Sequence, residues 1–74
     1  MAKILALNGL IHGKYESQAQ LADVLGWPRQ RLNKIVNGDK EPDLDEVKAL
    51  ADALDDSLEH IANIFLATSH QSGN

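Results

Sequence analysis

The densest run of side chains able to do chemistry is Arg29-Gln30-Arg31-Leu32-Asn33-Lys34: two guanidinium forks, two amides and an ammonium, with one apolar interruption. Guanidinium and ammonium groups only donate hydrogen bonds and carry positive charge, while amides both donate and accept. Such a set suits recognition of a polar partner. Ser17 and Ser57 each stand where a helix is expected to begin, so both have capping roles and no base is placed beside them by the sequence. His12, His60 and His70 are far apart, no two histidines fall at i, i+4, and there is no cysteine. Neither a metal site nor a cofactor is expected from that pattern. The expectation is a binding protein and not an enzyme.

A chain of 74 residues holds one hydrophobic core. With 43% apolar and 24% charged residues it can bury that core, yet at this size a large closed catalytic cleft is hard to build. No apolar run approaches the ~20 residues of a membrane span and no signal-peptide pattern is present, so a soluble, cytoplasmic protein is expected. The formal net charge of −4 conceals an asymmetry. Residues 1–38 carry Lys3, Lys14, Arg29, Arg31 and Lys34 against Glu16 and Asp23, whereas residues 39–59 carry nine acids against Lys40 and Lys48. One half of the chain is basic and the other acidic.

Apolar spacing divides the chain into five short helices. Ile4, Leu7, Leu10 and Ile11, with Leu5 widening the stripe, predict a first helix over residues 3–13 that ends near Gly13. Ser17 with Gln20 forms a capping-box pattern ahead of Leu21, Ala22 and Leu25, which predicts a second helix over 18–25 closed by Gly26. Gly26-Trp27-Pro28 breaks the chain and restarts it. Leu32, Ile35 and Val36 then supply the inner side of a third helix over 28–36, stopped by Asn37-Gly38. Asp43 with Glu46 caps a fourth over 44–54, with Leu44, Val47, Leu50, Ala51 and Leu54 inward. Ser57 caps a fifth, whose Leu58, Ile61, Ala62 and Phe65 repeat at helical spacing until near residue 67. Residues 1–67 are therefore expected to form a single all-α domain and residues 68–74 a flexible tail.

The stretch SQAQLADVLGWPRQRLNKIVNG, residues 17–38, carries the most information. Two short helices joined by a tight turn cross steeply only where the crossing point has a small side chain, the place of Ala22. Leu21, Leu25, Leu32 and Ile35 lock the pair onto a common core, and the polar, cationic face of the second helix stays free. Gln18, Leu21, Ala22, Gly26, Leu32, Ile35, Asn37 and Gly38 stand at the spacing of the helix-turn-helix family of phage repressors and Cro-like regulators. The chain resembles that family from the first helix to Leu66. PDLDEVKALADALDDSLEHI is similar to the family's next two helices, a proline loop leading into an apolar-periodic helix and then a Ser-capped one.

The resemblance implies a lambda-repressor-like DNA-binding domain with its helix-turn-helix at helices two and three. Residues 28–36 would be the recognition helix, seated by its N-terminal end in the major groove. It implies Arg29 forking onto guanine, Gln30 on an adenine edge, and Asn33 or Lys34 on the next base or a phosphate, with Arg31 on the same cationic helix. Gln18, Asn37 and Lys40 would touch phosphates and set the register. Three places depart from the pattern. Pro28 replaces a capping hydroxyl. Trp27 replaces a smaller aliphatic and either seals the core or projects beside the groove. Asp39, Glu41 and Asp43 crowd a loop where DNA-gripping members often carry basic residues.

Ile64 and Leu66 lie off the inner stripe of helix five and are expected to contact a second subunit or a partner. Two functions stay open. One is a phage or bacterial transcription regulator, a repressor that binds double-stranded operator DNA as a homodimer. The other is an antirepressor or modulator that docks on a partner repressor's DNA-binding domain. The acidic run 39–59 is then either a solvated face or the surface that meets a basic protein.

Overall fold

The computed structural model describes the backbone of residues 4–72 and the side chains of residues 4–67. The chain forms α1 (Leu5–Lys14), α2 (Gln18–Leu25), α3 (Arg29–Val36), α4 (Leu44–Ala53) and α5 (Leu58–Ser72), with no strand among the described residues. Helix α2 lies at the centre of the packing, against α1, α3 and α4, and α5 closes the bundle against α4 and α1. Leu7, Ile11, Leu21, Leu32, Ile35, Val36, Leu50 and Ile61 are fully enclosed. Burying each such side chain contributes roughly 1.5–3 kcal/mol, so the core, and not the polar surface, holds the helices in place. Ala22 also has no exposed surface, as a close approach of α2 to its neighbours requires.

The helix starts are fixed by side-chain acceptors. Ser17 Oγ accepts from Gln20 N–H at 3.1 Å, while Gln20 Oε1 reaches back to Glu16 N–H at 2.8 Å, one residue beyond the expected reciprocal bond to Ser17. Asp43 and Glu46 form the full capping box on α4. Ser57 Oγ accepts from His60 N–H at 3.0 Å and starts α5. At the other end of α2, Gly26 takes the left-handed conformation with φ 73°, which lets Trp27 N–H return to Ala22 C=O at 3.0 Å.

Four expectations about the periphery need correction. Leu5 is exposed, because two helical residues put it about 200° round the helix from Leu7, away from the Leu7-Ile11 line. Leu44 and Leu58 are exposed as well. Each is the first residue of its helix. The fifth helix does not stop near residue 67 but continues to Ser72, so residues 68–72 of the expected tail are helical. Loss of apolar periodicity ends the packing stripe, yet residues 68–72 contain no Pro or Gly to interrupt the backbone ladder. Residues 73–74, and the His70 side chain, lie outside the described residues.

Candidate nucleic-acid interface

The turn after α2 restarts the chain with Pro28, whose φ of −58° is already helical and whose carbonyl accepts from Arg31 N–H at 3.1 Å. No side chain caps α3. The helix divides its residues sharply. Leu32, Ile35 and Val36 have no exposed surface, and Arg29, Gln30, Asn33 and Lys34 are all exposed on the rest of the cylinder. Asn37 Nδ2 donates to Asn33 Oδ1, which joins two of the expected DNA-contacting amides in a pair one turn apart. Arg29 has a loose ion pair with Asp23 at 3.5 Å, both groups being about two-thirds in water (69% and 65%). The far end of α3 is tied down from outside the motif, since Ile4 N–H donates to Val36 C=O at 2.8 Å.

Arg31 and Lys40 have a different setting. The carboxylate of Glu46, only 2% exposed, accepts from Arg31 Nε at 2.6 Å, from Lys40 Nζ at 2.9 Å and from Asp43 N–H at 2.9 Å. Burial pushes the Glu46 carboxyl up, but the bonds from Asp43 N–H, Lys40 and Arg31 outweigh it and hold its pKa below the ordinary value of 4.5. The Arg31 guanidinium also lies over the Trp27 ring, 4.9 Å from its centroid. Trp27 is half-buried and packs against the core, so of its two expected roles it takes the sealing one. Arg31 and Lys40 keep 40% and 41% of their side chains in water.

Of the remaining candidates, Gln18 is half-buried at the first position of α2. Ile64 is half-buried against the core, whereas Leu66 is 61% exposed. Both lie on α5, whose packing partners are α4 and α1. Arg29, Gln30, Asn33 and Lys34 are therefore brought together on α3 with Asn37 at its C-cap, while Arg31 and Lys40 are drawn to Glu46. Sequence reasoning assigned Glu46 a capping role only. Its burial gives no local signal, because Arg31 is 15 positions away and belongs to another helix. Among the described residues no group of three or more His, Cys, Asp or Glu could hold a metal ion, and no helix is long and apolar enough to cross a membrane.

A short helix, a left-handed glycine turn and a second helix with an apolar inner side and a hydrogen-bonding outer side define a helix-turn-helix protein. A family model described as helix-turn-helix matches residues 17–61, more than half of the chain, and the chain belongs to this Cro-type, lambda-repressor-like family. No curated protein and no solved structure matches it. The family is one of DNA-binding regulators.

Proposed function

We propose that the protein is a transcription regulator, a phage or bacterial repressor, that binds operator DNA through α3. One observation carries this reading: Arg29, Gln30, Asn33 and Lys34 stand exposed together on a short helix whose opposite side is sealed into the core. Arg29 forks onto a guanine, Gln30 pairs an adenine edge, and Asn33 or Lys34 reaches the next base or a phosphate. Gln18 and Asn37 set the register on the backbone. A homodimer with Leu66 and its neighbour Ile64 at the contact would place two such helices about one DNA turn apart. Such a regulator, phage-encoded or bacterial, acts in the cytoplasm.

The test is selection of binding sites from random duplexes, followed by titration of the parent chain and Arg29→Ala. A chain that reads DNA in this way loses about 1–3 kcal/mol of discrimination at one base pair when Arg29 is truncated. Equal weakening on every sequence counts against the placement of Arg29.

A second reading, a modulator that docks on a repressor, is favoured by one feature. The acidic run 39–59 lies next to a helix-turn-helix in which Arg31 and Lys40 are already committed to Glu46. A nine-acid segment repels phosphate and attracts a basic protein surface. It predicts little DNA affinity for the chain alone and a stable complex with a repressor from its own locus.

A further inference from the structure

The half-chain of cations that makes the helix-turn-helix basic is not uniformly available. Arg29 and Lys34 project from α3 into solvent. Arg31 and Lys40 converge on one carboxylate from two different directions, the recognition helix and the loop that follows it. That carboxylate belongs to a third element, α4, and is fixed there by its own capping bond to Asp43 N–H. Helix α3 packs chiefly on α2, so the Arg31 bond to Glu46 is a strut from α3 to α4. The Arg31 guanidinium is held from a second side by the Trp27 ring. A guanidinium so held is preorganised, with its Nε–H and one terminal nitrogen already engaged by the carboxylate and its charge matched there.

We infer that Glu46 is a positioning residue for DNA recognition: it fixes the angle of α3 and acts as an internal counterion that withholds Arg31 and Lys40 from phosphate. The inference rests on the DNA-binding reading given above. Its consequence is a division of labour. Affinity is kept low on arbitrary sequence because Arg31 and Lys40 are matched internally, and discrimination falls to the exposed donors of α3. A buried acid at the seam thereby trades sequence-independent grip for specificity.

Salt dependence reads this directly. The logarithm of the binding constant falls with the logarithm of salt concentration with a slope of about 0.9 per phosphate neutralised by a protein cation. Titrations with one selected duplex and one scrambled duplex over a range of salt are to be made with the parent chain, Glu46→Gln and Asp45→Asn. Asp45 is an exposed acid beside Glu46 on the same helix, so it controls for a simple change in net charge. Glu46→Gln is expected to steepen the slope by about 0.9 for each cation released, up to about 1.8 for both. Its affinity for the scrambled duplex rises at low salt, and its preference for the selected one falls. Asp45→Asn changes neither slope nor preference to that extent. An unchanged or shallower slope in folded Glu46→Gln, or an equal change in Asp45→Asn, overturns the inference and leaves the DNA-binding reading standing. No binding by the parent chain to either duplex overturns both.

A measurement on the parent chain stands independently of how well the variant folds. The Arg31 Nε–H resonance is expected to be protected from exchange in the free chain and to keep its position when the selected duplex is added, while that of Arg29 moves. Movement of Arg31 with Arg29 shows that DNA takes the guanidinium from Glu46, which overturns the withholding role.

Discussion

The two sides of α3 carry the same kinds of side chain under opposite conditions. On the outer strip, Arg29 keeps most of its surface in water and meets Asp23 at 3.5 Å. At the seam with α4, Arg31 is stacked on Trp27 and bonded to a carboxylate that water barely reaches. Only two positions separate these arginines. A cation's role is thus decided by what the fold places opposite it, and a count of basic residues on a helix overstates the charge available to DNA. The comparison also separates what holds α3 in place from what α3 presents.

The largest effect should come from beneath both sides. If α3 is held by its apolar underside, Leu32→Ala removes a fully enclosed side chain and costs about 2–5 kcal/mol, a large part of the stability of a domain this small. Gln30→Ala, on the exposed side of the same helix, stays within about 0.5 kcal/mol. Urea unfolding followed by helical circular dichroism measures both. A Leu32→Ala loss no larger than that of Gln30→Ala would break the division of the helix into a holding side and a presenting side.

The seam comes next. Glu46→Gln leaves Arg31, Lys40 and the Asp43 N–H without a charged acceptor, and should cost about 1–3 kcal/mol near neutral pH. The cost stays below the 3–5 kcal/mol typical of breaking a fully buried pair, because both cations retain access to water. The pH dependence has a definite sign. The folded-state pKa of Glu46 lies below its ordinary value of 4.5, so the unfolded chain binds more protons in the interval between the two. Stabilisation by this carboxylate is complete above the unfolded value and is lost as pH falls through the folded one. Unfolding curves of the parent chain and Glu46→Gln should therefore differ most near neutrality and converge in acid. A gap that is constant with pH removes the ionised carboxylate as the cause.

Much of this arrangement is legible in the sequence where the controlling interactions are local. Ser17, the Asp43-Glu46 box and Ser57 mark helix starts because a cap acts within three residues. Gly26 marks the turn because an L side chain resists its φ of 73°. The inner stripe of α3 follows from periodicity alone. Leu5 escapes that logic, since adjacent apolar residues do not say which of them lies on the packed line. The end of α5 escapes it too, because a helix persists beyond its apolar stripe when nothing breaks the backbone. The Arg31-Glu46-Lys40 cluster is the instructive omission. It joins α3, α4 and the loop between them, and Arg31 reads locally as one more solvated cation. Tyr15 shows the same limit: its hydroxyl donates to Ala53 C=O at 2.6 Å across 38 positions, with no cue in the residues around it.

The smallest expected effect sharpens the comparison most, because it tests exposure with the chemistry held nearly constant. Asp23 and Arg29 form a carboxylate–guanidinium pair, as Glu46 and Arg31 do, but the Asp23 pair lies in water. At about 4 Å in bulk water two unit charges attract by only about 1 kcal/mol, and holding two flexible side chains together offsets most of that. Asp23→Asn should therefore change unfolding free energy by less than about 0.5 kcal/mol, and added salt should reduce even that difference. The two carboxylate-to-amide substitutions remove the same charge from an arginine of the same helix. If Asp23→Asn costs as much as Glu46→Gln in matched urea titrations, burial does not set the worth of these pairs, and the contrast between strip and seam fails at its physical root. A near-zero value for Asp23 beside a clear loss for Glu46 leaves Arg29 energetically free to exchange its partner for a base edge, whereas Arg31 must give up a bond on which the fold depends.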